Sequence, residues 1–144
     1  MRISLPVFLA LSCVALLPSQ ERPSTGAQVG SPRQFVGTWK GVCADGKDFV
    51  ILTFTQAEGA SLEGTIRLAN MRGGDDGSCV TVVDPPSEKH ELTVTDARLN
   101  GSTLTFKGSK RMEFEMSVQA GDNARLKFIG TASEDNPWKL KRTK

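Results

Sequence analysis

The chain has a single histidine, no tyrosine and only three cysteines, and beyond Leu17 it carries no long apolar run. Each shortage closes off a chemistry. With His90 alone, a zinc site of several histidines cannot be assembled, and no Ser, Cys or Lys stands out beside it as an activated nucleophile. His90 stands at the start of a predicted strand, where it reads as an exposed polar residue; as a ligand it would be at most a sole axial group for haem. No carboxylate pair is fixed by spacing. Asp75 and Asp76 lie among Gly73, Gly74 and Gly77, a segment without the alternating acids of a calcium loop, and Met71 to Ser78 reads as a flexible loop. We therefore expect a protein that is not an enzyme and that holds no cofactor and no metal. Also missing is any sustained 3.6-residue apolar stripe, which excludes long helices.

What is present begins with a stretch that reads as an export signal. Arg2 is followed by Ile3 to Leu17, interrupted only by Ser4, Pro6, Ser12 and Cys13, and then by Pro18, Ser19 and the first acid, Glu21. The run is shorter than the about 20 residues that a membrane span needs. Cutting after Ala15 puts small side chains, Cys13 and Ala15, at the two positions a signal peptidase reads; a cut as late as Ser19 puts bulky Leu17 at the outer one. Lipidation of Cys13 is the alternative, but Ala10-Leu11-Ser12 departs from the Leu-Ala-Gly that precedes a lipoprotein cysteine, and the apolar run continues past it. Removing Cys13 leaves Cys43 and Cys79, which in an oxidising compartment are expected to join. The expected location is extracytoplasmic, secreted or periplasmic, with no transmembrane span in the mature chain.

Pro18 to Gln34 is Ser, Gln, Glu, Arg, Pro, Thr and Gly with almost nothing apolar, and residues 16–34 read as a flexible linker. Phe35 to Lys144 is enough for one domain with one core. Loss of Arg2 with the leader lowers the net charge from the +2 of the full chain to +1, which points to no nucleic-acid partner. The basic excess gathers at Lys139, Lys141, Arg142 and Lys144 and reads as a solvated strand end. A monomer is expected.

Within that domain, apolar and polar residues alternate in short runs separated by glycine-rich turns, the two-residue period of half-buried strands. Met112, Phe114, Met116 and Val118 alternate with Glu113, Glu115, Ser117 and Gln119. Leu126 and Phe128 follow across a turn at residues 120–123, which sets Glu115 opposite Lys127. Leu92 and Val94 are expected to pair with Leu104 and Phe106 across Asn100-Gly101, the dipeptide of tight hairpins. Runs at 35–43, 49–55, 62–68, 79–83 and 138–142 bring the total to about eight strands. Pro85 and Pro86 stop the strand before them. Strands joined in sequence by hairpins avoid exposed edges by closing, so the expected fold is all-β, an antiparallel up-and-down barrel. In a simple circuit the strands of Cys43 and Cys79 are not adjacent, so either their bridge crosses one end of the barrel or the strand order differs from the simple circuit.

Phe35-Val36-Gly37-Thr38-Trp39-Lys40-Gly41 resembles the Gly-x-Trp opening of lipocalin-like barrels. With Leu62-Glu63-Gly64-Thr65, Leu99-Asn100-Gly101-Ser102-Thr103-Leu104-Thr105-Phe106 and the basic last strand, the chain is similar to small secreted bacterial lipocalin-like domains of unknown function. The resemblance implies that Gly37 and Trp39 close the barrel floor and that Arg142 or Lys141 lies over the indole. The short chain without tyrosine departs from ordinary lipocalins and implies a smaller cavity. Met71, Phe54, Phe106, Met112, Phe114, Met116 and Phe128 would line a pocket, or else fill the core, since a barrel of eight strands is just wide enough for either. Two functions follow as expectations: an exported binding module for a small apolar ligand or an envelope partner, or a periplasmic protease inhibitor that inserts its N-terminal tail into an enzyme's cleft.

Overall fold

The computed structural model describes residues 30–56, 59 and 61–144. The apolar leader, both cleavage positions, Cys13 and the linker through residue 29 lie outside the described residues. Alternation becomes antiparallel strands: β1 (Gly37–Val42), β2 (Asp48–Gln56) and β3 (Leu62–Leu68), then β4 (Asn70–Gly73) and β5 (Cys79–Asp84). After a short 3-10 turn follow β6 (Glu91–Thr93), β7 (Thr95–Asn100), β8 (Thr103–Ser109), β9 (Met112–Val118), β10 (Asn123–Phe128) and β11 (Trp138–Thr143).

One nine-stranded sheet runs in the order β6-β3-β2-β1-β11-β10-β9-β8-β7, so β11 returns to pair with β1. Its two edge strands are consecutive in the chain, with only Val94 between them. Val94 donates its amide to the Gly64 carbonyl of β3 at 2.8 Å; at Asp96 the backbone swings to φ +53°, and the chain then pairs with β8. Aspartate tolerates that left-handed conformation better than most side chains. A single kinked strand thus serves β3 with its first half and β8 with its second, curling the sheet into a nearly closed barrel. Counted as one, β6 and β7 bring the nine strands to the eight expected from sequence.

Inward-facing positions fill the barrel. Trp39, Leu52, Ile66, Met116, Leu126 and Leu140 are all essentially without solvent contact. Each such burial is worth about 1.5–3 kcal/mol relative to exposure. The floor is closed by the segment just before β1. Gly30 donates to the Gly101 carbonyl at 2.8 Å, Pro32–Phe35 make a 3-10 turn, and the Trp39 indole donates to the Phe35 carbonyl at 2.8 Å. Gly30 to Gln34, whose composition reads as linker, are therefore seated on the barrel.

Three details differ from the sequence reading. The strand across Asn100-Gly101 from Leu104 is Thr95–Asn100, with Leu99 directly opposite Leu104, while Leu92 pairs with Ile66. Thr95-Asp96-Ala97-Arg98 carries too little apolar alternation to announce a strand, and its bulge breaks the period. Phe35 belongs to the 3-10 turn and not to the first strand. Finally, Met71–Gly73 are strand, not loop: β4 and β5 form a separate two-stranded sheet outside the barrel wall. The glycines and acids at residues 74–78 form its turn.

Candidate functional site

The β1–β2 turn and the β10–β11 loop share one end of the barrel, opposite the Trp39 floor, and the β4–β5 hairpin folds across it. One disulfide and five hydrogen bonds hold the hairpin. Cys43 and Cys79 are disulfide-bonded, joining residues 36 apart, and the Ala44 amide donates to the Cys79 carbonyl at 3.1 Å. Asp45, in the β1–β2 turn, accepts from the Thr81 hydroxyl at 2.9 Å and the Val82 amide at 3.0 Å with one carboxylate oxygen, and from the Lys47 amide at 3.0 Å with the other. The Val82 amide, followed by that of Lys47, holds the Asp45 carboxyl below the ordinary 3.8. From the other side, Trp138 Nε1 donates to the Gly77 carbonyl at 3.0 Å, and Asn136 Nδ2 to the Asp76 carbonyl at 3.3 Å.

Gly77 is what the close approach demands. Its φ is +79°, and a Cβ there would stand 2.6 Å from the Ala132 carbonyl carbon. Asp76 completes the turn by accepting from the Ser78 hydroxyl and amide, in that order the contacts that lower its pKa. Facing it, the β10–β11 loop is shaped by Ser133, 1% exposed, whose hydroxyl accepts the Phe128 amide at 2.8 Å.

Between hairpin and barrel lies a pocket of about 370 Å³. Leu68, Ala69, Met71, Phe128 and Trp138 supply its apolar wall, Thr131 and Ser133 its hydroxyls, and no charged side chain lines it. Such a lining accepts apolar groups, since both hydroxyls are already engaged with the Phe128 backbone. It supplies no carboxylate, ammonium or imidazole to move a proton.

Of the residues read from sequence as ligand-lining, the structure brings Met71 and Phe128 to this pocket. Phe54, Phe106 and Phe114 form a buried file, with centroids 5.3 and 5.4 Å apart. Phe128 continues it at 4.9 Å from Phe114, and Trp138 lies 6.3 Å beyond. Met116 is buried in the core, and Met112 is partly buried against it. Gly37, Trp39 and Arg142 meet at the floor: the guanidinium lies 4.4 Å over the Trp39 ring and donates to the Gln34 carbonyl at 2.6 Å. Gly37, at φ +124°, lets the chain pass beside the Arg142 side chain. Lys141 points outward instead.

His90 is exposed, with its Nδ1 3.2 Å from the Ser87 hydroxyl. Among the described residues, no three His, Cys, Asp or Glu side chains converge as a metal would need, and no helix is long and apolar enough to cross a membrane. Leu68, Ala69 and Trp138 were missed as pocket residues. Trp138 carried the one usable signal, a large aromatic at the start of a strand next to the longest loop of the barrel's second half. No family model matches the chain, and neither a curated protein nor a solved structure matches it.

Proposed function

We propose that the protein is an exported, lipocalin-like binding module that holds a small, largely uncharged apolar ligand in the pocket beneath the β4–β5 hairpin. One observation carries this reading: an apolar pocket of about 370 Å³, without a charged side chain, sits at the barrel end away from the Trp39 floor. Ligand pockets generally span about 300–1,000 Å³, which puts this one at the small end and suits a molecule of modest size. The Gly37, Trp39 and Arg142 cluster supports the lipocalin-like assignment, because it seals the opposite end and leaves the hairpin side as the way in. Uncharged walls favour sequestration over chemistry.

Natively purified protein should release a small apolar molecule on solvent extraction, detected by mass spectrometry. A neutral apolar fluorophore such as N-phenyl-1-naphthylamine should bind saturably and take up excitation from Trp138. Absence of any co-purifying molecule together with no saturable fluorophore binding overturns the reading.

A further inference from the structure

Outside the barrel wall, the outward faces of β1, β11 and β10 enclose a groove of about 510 Å³ that shares no lining residue with the mouth pocket. Lys40, Arg125, Lys139 and Lys141 line it. The strand register sets Lys40 opposite Lys141 and Arg125 opposite Lys139. Positions two apart on a strand are separated by about 7 Å, and three neighbouring strands span about 10 Å, so four cations share a patch of roughly those dimensions.

The fold does little to neutralise them. Lys40 has Asp48 at 2.7 Å, but Arg125, Lys139 and Lys141 enter no ion pair among the described residues. Like charges directly opposite one another destabilise a sheet. Elsewhere this barrel avoids that: Lys127 faces Glu115 at 3.3 Å, and Arg67 faces Glu91, each pair in register. Two like-charge pairs set side by side therefore call for counter-charge from outside the chain.

We propose that this groove binds a linear anionic polysaccharide, its acidic groups against the four cations. At one end Gln119 and Asn123 offer amides to sugar hydroxyls, and Val42, 54% exposed, offers an apolar contact to a ring face. No aromatic side chain lines the groove, so it lacks the stacking platform that single-stranded nucleic acid uses. A membrane-lying surface presents a broad apolar face beneath its charges, which one valine does not provide.

The test is calorimetric titration of the full folded protein with a short heparin oligosaccharide at low salt. Saturable binding that weakens as salt rises is expected. The double variant Lys139→Gln/Lys141→Gln should bind about tenfold more weakly or worse, because each lost cation removes a screened ionic contact. Its thermal midpoint should stay level or rise, since like-charge repulsion is relieved. Arg125→Gln alone provides a second variant, expected to weaken binding in the same direction, and Lys110→Gln/Arg111→Gln, at the β8–β9 turn, should bind as the parent does. No binding by the parent, or binding by both groove variants as tight as the parent's, overturns the proposal. So does tighter binding to phosphatidylglycerol vesicles or to an oligo-dT strand than to the heparin probe, which reassigns the groove to a membrane or to nucleic acid.

Discussion

The Asp45 carboxylate accepts the Val82 amide at 3.0 Å, so the turn that ends the first strand holds the hairpin inserted between the third and sixth. The same carboxylate takes the Thr81 hydroxyl and the Lys47 amide. A hairpin that is not part of the barrel wall has no ladder to hold it on both sides, and this side chain does that work beside the disulfide.

The Asp45 clasp makes hairpin docking pH-dependent. Its folded-state pKa lies below the ordinary 3.8, so its stabilisation is fully present above that value and is lost as pH falls through the lower, folded one. Asp45→Ala should lower the thermal midpoint at neutral pH, and the gap between parent and variant should narrow as the pH drops below the ordinary carboxylate range. A gap of constant size down to the most acid measurable pH speaks against the clasp.

Removing the bridge should cost more. A loop of 36 residues closed by Cys43–Cys79 corresponds to about 4 kcal/mol in the chain-entropy model. Cys43→Ser/Cys79→Ser should unfold at correspondingly lower denaturant, and limited proteolysis should cut first within residues 71–78. Unchanged stability with an unchanged cleavage pattern would show that the hydrogen bonds alone fix the hairpin.

The floor makes a separate prediction. Gly37→Ala forces a side chain onto φ +124° and should destabilise by about 1–3 kcal/mol. Arg142→Lys keeps the charge but not the planar group over Trp39, and should cost about 0.5–2 kcal/mol, read by chemical denaturation with Trp39 emission as the probe.

Filling the mouth pocket distinguishes ligand binding from mere hydrophobic stickiness. Ala69→Phe places a ring where Leu68, Met71 and Phe128 leave room, and fluorophore affinity should fall by about tenfold, the effect of roughly 1.4 kcal/mol. Phe114→Leu, in the core below, should change stability and leave affinity nearly untouched. Equal affinities in Ala69→Phe and the parent would remove the pocket from consideration.

How far the sequence led depends on which residues carried the signal. The β9–β10 hairpin was legible down to the Glu115–Lys127 pair, because strict alternation fixes the face of every side chain and the turn fixes the register. That Cys43 and Cys79 join was legible too, from their being the pair left once Cys13 is set aside, but their strand order was not, since Cys79–Asp84 lies outside the barrel sheet. Thr95–Asn100 was hidden, since a bulged, polar segment at a seam need not alternate. The β4–β5 hairpin was hidden because its tip, Gly74 to Ser78, has the composition of a loop. The pocket was the least visible: Leu68, Phe128 and Trp138 come from three distant segments, and only the tertiary course of the chain makes them neighbours. The outer groove was half visible, as the basic tail; that Lys40 and Arg125 join it requires the register of β1 and β10 on β11.

The pairing of β1 with β11 orders events in time. Trp39 finds its floor partner Arg142 in β11, the described strand farthest from it along the chain, so β1 stays half-paired until β11 is in place. Contacts this distant in sequence slow folding toward the millisecond-to-second range of barrels and sandwiches. The circuit therefore closes only once Leu140 can take its place beside Gly41. Loss of even the last few residues would undo the beginning of the barrel as much as its end.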